Sequence, residues 1–332
     1  MLPIAMLTGA SIYLIYHVLP PSVHVVGPVL SDLVSHLQPL LIFGMLFLTF
    51  CRIEPQDLKP HRWHWWLLLF QGGIFVVLGL VAASLSRWFP MASHAWTLLL
   101  ESAMLCIICP TATAAAVVTR KLGGDVPGIT TYIVLINILT AVLVPLMIPM
   151  MHSAGETDFW TSFSMIVAKV FPLLITPCLC AWLVRYLFPT LLRRILRYPD
   201  LAFYLWSVAL TLAIAMTTRT IVHSDLEVSV ILLMAAVSLF CCAIQFSFGR
   251  NIGSRYIPRS LHPATPEHAA EIIEVQKVTA GQSIGQKNTV FAIWMAYTFM
   301  TPETSIVGGL YSIWHNIYNS YQLRQQSRKT EK

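Results

Sequence analysis

Two short stretches hold the residues whose types and spacing could do chemistry. One is Pro110-Thr111-Ala112-Thr113 with Ala115 and Ala116 just beyond; the other is Gln282-Ser283-Ile284-Gly285-Gln286-Lys287-Asn288. Each interrupts an apolar run. Lys287 lies far from Lys277 and Glu303, the charges that bound its run, so its ammonium cannot reach either end. A group so placed is either a fixed cation for an anionic substrate or a proton carrier that discharges when its surroundings dry. The alternative is a buried ion pair with Glu101, the carboxylate well inside the other run. Glu101 itself reads equally as a proton-coupling group and as a hydrogen-bond partner for a neighbouring helix.

Pro110 has no N–H to donate and disrupts the turn before it. A break there leaves free carbonyls on one side and free N–H groups on the other. The N-terminal side attracts anions. Thr111 and Thr113 add hydroxyls, while the alanines leave room for a second helix to cross closely. A proline kink packed by small residues would explain the first stretch taken alone; the matching interruption in the second favours a site.

The elements that must position these residues follow from composition. Of 332 residues, 56% are hydrophobic and only 11% charged, with a mean hydropathy of +0.69, which excludes a string of soluble domains. The chain reads as an all-α polytopic membrane protein whose partner is the lipid bilayer. Its net charge of +6 then reports orientation and not nucleic-acid binding. Cutting the chain at charges, Pro and Gly gives ten spans of membrane-crossing length. They fall near 2–19, 29–51, 64–85, 95–119, 126–151, 160–187, 200–222, 226–249, 272–299 and 303–322.

Lys and Arg test this division, because cytoplasmic loops hold the excess. Breaks after even-numbered spans carry Arg52, Lys59 and Arg62; Arg120 and Lys121; Arg185, Arg193, Arg194 and Arg197; and Arg250, Arg255, Arg259 and Lys277. The C-terminal stretch adds Arg324, Arg328, Lys329 and Lys332, whereas odd-numbered breaks hold Arg87 and Arg219. Both termini are therefore expected in the cytoplasm and the protein in the plasma (inner) membrane. Met1-Leu2-Pro3 offers no basic n-region, so the first run is expected as a retained helix. Ten spans with both ends inside permit two five-helix halves of opposite orientation, and the two polar interruptions fall in the fourth span of each half.

The remaining polar residues read more plainly. Asn137 and Thr140 are candidate core polar groups, and with Gln71 and Gln245 they are expected chiefly to join helices by hydrogen bonds. Trp63, Trp65 and Trp66 with His61 and His64 look like an interfacial aromatic belt. The seven cysteines read as small buried apolar groups. No H-E-x-x-H or P-loop occurs, so neither an enzyme nor a metal or organic cofactor is expected.

Four stretches resemble the bile acid:sodium symporter family. They are Leu40-Leu41-Ile42-Phe43-Gly44-Met45 in span two, Cys109-Pro110-Thr111-Ala112-Thr113 onward to Gly123-Gly124-Asp125, Gly285-Gln286-Lys287-Asn288, and Ser312-Ile313-Trp314-His315-Asn316. The resemblance covers nearly the whole chain. It implies panel helices over 1–63 and 152–224, core helices over 64–151 and 225–323, and a basic tail over 324–332. It also implies a cleft between panel and core that serves an organic anion, bile-acid-like or a small carboxylate, by alternating access. Pro110, Thr111, Thr113, Ala115, Ala116, Gln282, Ser283, Gln286, Lys287 and Asn288 would line the central site.

The chain departs from the family pattern in its ion ligands. Where sodium-dependent members have E-x-G-x-Q-N, this chain has Ser283-Ile284-Gly285-Gln286-Lys287-Asn288, and the Ser-Asn pair of the fourth helix falls on Ala115-Ala116. These changes remove oxygen ligands and put a positive charge where sodium would sit. The expected protein is a sodium-independent carrier, coupled to no ion or to a proton. Its alternatives are a sodium symporter that holds the ion on backbone carbonyls and Asn288, and a membrane sensor that binds an anion without moving it. Oligomeric state is left open.

Overall fold

A computed structural model describes residues 2–20, 25, 27–88, 94–151, 158–198, 200–256 and 265–330. Met1, Arg259 and Lys332 lie outside these. Thirteen α-helices account for nearly all of the described chain: α1 Leu2–Val18, α2 Gly27–Phe50, α3 Arg62–Trp88, α4 His94–Ile108, α5 Ala114–Lys121, α6 Val126–Met151 and α7 Phe159–Leu187. They continue with α8 Pro189–Leu196, α9 Leu201–His223, α10 Val228–Arg255, α11 Pro266–Gly285, α12 Thr289–Phe299 and α13 Ile306–Thr330. Six of them, α2, α3, α6, α7, α9 and α10, are long and apolar enough to cross a membrane.

The spans expected near 95–119 and 272–299 are each two helices. The first stops at Ile108 and resumes at Ala114; the second stops at Gly285 and resumes at Thr289. The polar run of the second is therefore helical through Gly285, and only Gln286 to Asn288 form the break. Two further differences from the sequence reading are local. The loop after span six contains α8, and the basic tail continues α13 as helix to Thr330, because Gln, Arg and Lys keep a helix going once it is started.

Packing divides the helices. α1 and α2 lie on α9, and α2 also lies on α7; α3 packs on α4 and α6, and α10 on α4, α11 and α13. α6 and α7, consecutive in the chain, join the two sets. α10 and α11 approach closely, where Gly249 and Gly253 lie one turn apart. A Cβ on Gly249 would come within 2.5 Å of the Ala280 carbonyl oxygen. Small residues at such a spacing let two backbones meet in a solvent that gives helices no hydrophobic reason to associate.

The aromatic belt is only half at the surface. Trp65 and Trp66 are exposed, whereas Trp63 and His64 are fully buried. The Trp63 indole donates to Gln276 Oε1 at 2.9 Å, and His64 Nε2 lies 2.9 Å from the Gly128 carbonyl. Burial demands these partners, since neither ring can leave its N–H unmet away from water.

Candidate functional site

The two breaks meet. Thr111 and Lys287 form an isolated antiparallel bridge, the Ala112 N–H donates to the Gln286 carbonyl at 2.9 Å, and the Asn288 N–H donates to the Pro110 carbonyl at 2.8 Å. The Cys109 thiol donates to the Asn288 carbonyl at 3.0 Å. Backbone unwound at this depth thus finds its hydrogen bonds in the other unwound segment, the condition for such backbone inside a bilayer.

Four carbonyls at the end of α4 are each met by a different side chain. Gln245 Nε2 donates to Cys106 O at 3.2 Å, Lys287 Nζ to Ile107 O at 2.9 Å, Thr140 Oγ1 to Ile108 O at 3.1 Å and Gln71 Nε2 to Cys109 O at 3.2 Å. These donors come from α10, the second break, α6 and α3. Tyr132 in turn donates to Gln71 Oε1 at 2.8 Å. A helix that stops leaves its last carbonyls without intrahelical donors, and each left unmet would cost about 1–3 kcal/mol. Gln71 and Gln245, expected only to join helices, are therefore part of the break.

Lys287 is 1% exposed and brings its amine to this carbonyl end. A lysine at the bilayer centre costs about 2.5–3.5 kcal/mol on insertion scales. Two features offset that cost: the hydrogen bond to Ile107, and the convergence here of the C-terminal, partly negative ends of α4 and α11. A small cavity beside it is lined by Cys106, Cys109, Lys287, Thr289 and Tyr311.

The end of α11 is finished without charge. The Tyr311 hydroxyl donates to the Gly285 carbonyl at 2.8 Å, and the Thr111 hydroxyl donates to the Ser283 carbonyl. Nothing in the sequence singled out Tyr311, because a tyrosine in an apolar helix ordinarily reads as packing. The N-termini also differ. Asn288 Oδ1 accepts from the Phe291 N–H at 3.2 Å and caps α12, whereas Thr113 at the start of α5 makes no side-chain cap.

The other expected site residues divide by position. Pro110, Ser283 and Gln286 lie in or beside the bridge; Ala115 is fully buried and Ala116 half-buried on the first turn of α5. Ser283 Oγ, Gln286 Oε1 and both polar atoms of Asn137 are buried without a protein partner. Gln282 reaches α13, where Nε2 donates to Asn319 Oδ1 at 2.9 Å and to Gln322 Oε1 at 2.7 Å. Glu101 lies nearly two turns before the α4 break, and its Oε2 accepts from the Thr304 hydroxyl at 2.6 Å. Thr304 carried no signal in the sequence, since the carboxylate it serves is two hundred residues away.

No curated protein matches the chain. The SBF-like CPA transporter family matches it over residues 7–324, nearly its whole length. With six helices of membrane-crossing length and apolarity, the chain is an integral multi-pass membrane protein that belongs to this bile acid:sodium symporter-like family of transporters.

Proposed function

We propose that the protein is a sodium-independent secondary transporter for an organic anion, in which the Lys287 ammonium stands in the place of a sodium ion. The observation that carries this reading is the 2.9 Å bond from Lys287 Nζ to the Ile107 carbonyl. In broken-helix transporters, free carbonyls and half-helix C-termini hold the coupling cation, while half-helix N-termini face anionic substrate groups. Here a side chain occupies the cation's position, and the N-terminus of α5, without a side-chain cap, is left for the anion. Thr113 and Ser283 supply hydroxyls beside it.

Ten spans result if α4 with α5, and α11 with α12, each count as one. The proposed architecture is two inverted five-helix repeats in the plasma (inner) membrane with both termini cytoplasmic. The set α1, α2, α7 and α9 forms the panel and the remaining spans the core. Alternating access is supported by an asymmetry: α12 packs on α2 and α9, whereas α5 packs chiefly on α6 and α11. One half of the crossing is thus closed against the panel while the other stands clear of it.

A sodium-coupled symporter is the second reading, favoured by three buried oxygens without partners, Asn137 Oδ1, Ser283 Oγ and Gln286 Oε1. Thermal melting of purified protein across a panel of organic anions, each with sodium or potassium and at two pH values, separates the two. The proposal expects an anion-dependent rise that is the same in both salts and is lost in Lys287→Gln. A rise confined to sodium would establish the second reading. Binding without accumulation in reconstituted vesicles would make the protein a sensor.

A further inference from the structure

We infer that α8 is a binding surface for the headgroups of anionic phospholipid on the basic side of the molecule. At 100° per residue, Leu191, Leu192, Ile195 and Leu196 share one face of this helix, and Thr190, Arg193, Arg194 and Arg197 share the other. Leu192 is buried and Ile195 packs against the main core, which seats the helix. Its flanks are tied down as well: Arg185 Nη2 donates to the Cys51 carbonyl at 2.9 Å and Arg52 Nη2 to the Tyr198 carbonyl at 3.2 Å.

The outer part of the apolar face is not covered by protein. Leu191 is 45% and Leu196 41% exposed, and Leu183 and Leu187 at the end of α7, just before α8 in the chain, are exposed as well. Acyl chains lying along α7 would therefore lead to the polar face of α8. There Arg193, Arg194 and Arg197 are exposed, and among the described residues no carboxylate forms an ion pair with them. Arg193 Nη2 makes one long bond, 3.4 Å, to Thr190 Oγ1. Asp200, close by in sequence, interacts with Arg52 instead.

Three unpaired guanidinium groups beside an apolar face match a phosphodiester that carries acyl chains. Net charge selects among lipids, because a zwitterionic headgroup brings its own cation whereas an anionic one leaves the phosphate for arginine. The inference does not depend on the transport reading.

The test uses the full-length protein in nanodiscs of phosphatidylcholine, with or without phosphatidylglycerol, and reads retained lipid by native mass spectrometry alongside the melting temperature. Wild type is expected to retain phosphatidylglycerol several-fold over phosphatidylcholine and to melt higher when it is present. The combined variant Arg193→Gln, Arg194→Gln, Arg197→Gln should lose both effects while melting like wild type in phosphatidylcholine alone. Arg197→Gln by itself, near the middle of the polar arc, should show a reduced preference, which supplies the measurement if the triple variant does not fold. Unchanged phosphatidylglycerol retention in either variant would overturn the inference. So would an equal rise in melting temperature with inorganic phosphate in phosphatidylcholine discs, which would mean an ion site and not a lipid one.

Discussion

The two broken helices cross at one point but are finished differently. The carbonyl end of α4 is met by side chains from three other helices and by the Lys287 ammonium; that of α11 is met by the hydroxyls of Tyr311 and Thr111. At the N-terminal ends the order reverses. The α12 end is closed by its own Asn288, and the α5 end makes no side-chain cap. Two breaks of the same kind are therefore finished with different groups. The α4/α5 half receives the Lys287 amine and has an uncapped helix start, whereas the α11/α12 half, whose break carries Lys287, is finished by neutral groups and capped. If the crossing binds an anion, the α11/α12 break contributes the lysine and the α4/α5 half contributes the uncapped helix start.

The largest effect should come from Lys287→Ala. It leaves the Ile107 carbonyl unmet and a space in the core, a loss of about 3 kcal/mol. Because the vacated space faces a carbonyl, sodium should raise the melting temperature of this variant and leave wild type unmoved. No sodium effect in the variant would break the idea that the lysine stands in for an ion. Tyr311→Phe removes one neutral donor from the matching position on the other helix and should cost about 1 kcal/mol, the usual size for a hydrogen bond between membrane helices. Equal losses in the two variants would show that charge contributes nothing special at the crossing.

Asn288→Ala opens the α12 cap and should also cost about 1 kcal/mol. Its sharper consequence is for binding: a second free helix start would raise, and not lower, the stabilisation by an organic anion if helix N-termini hold the ligand. The smallest stability change belongs to Thr113→Val. That hydroxyl caps nothing, so melting without ligand should stay within about 0.5 kcal/mol of wild type, while the anion-dependent shift shrinks. An undiminished shift would place the anion elsewhere.

Much of this molecule was legible from one chain. Six of the apolar runs are single helices long and apolar enough to cross a bilayer, since such a segment needs about twenty apolar residues and little else. The breaks at Pro110 and near Lys287 were legible because proline, glycine and clustered amides are conspicuous where every neighbour is apolar. The family likeness carried by Cys109 to Thr113 and by Gly285 to Asn288 holds over residues 7–324. α8 escaped the division into spans, being too short to cross, although its four-residue alternation of leucines and arginines is plain once it is sought.

What the chain could not reveal was pairing. That Lys287 serves Ile107, that Thr140, Gln71 and Gln245 close the same helix end, and that Trp63 and His64 turn inward, all depend on residues far apart in sequence. A glutamine that joins two helices and one that caps a broken helix have the same neighbours along the chain. Hydropathy measures how much a segment prefers lipid and is indifferent to which carbonyl lies opposite a side chain. Only the folded arrangement decides that, because a hydrogen bond is directional and short-ranged while the preference for lipid is neither.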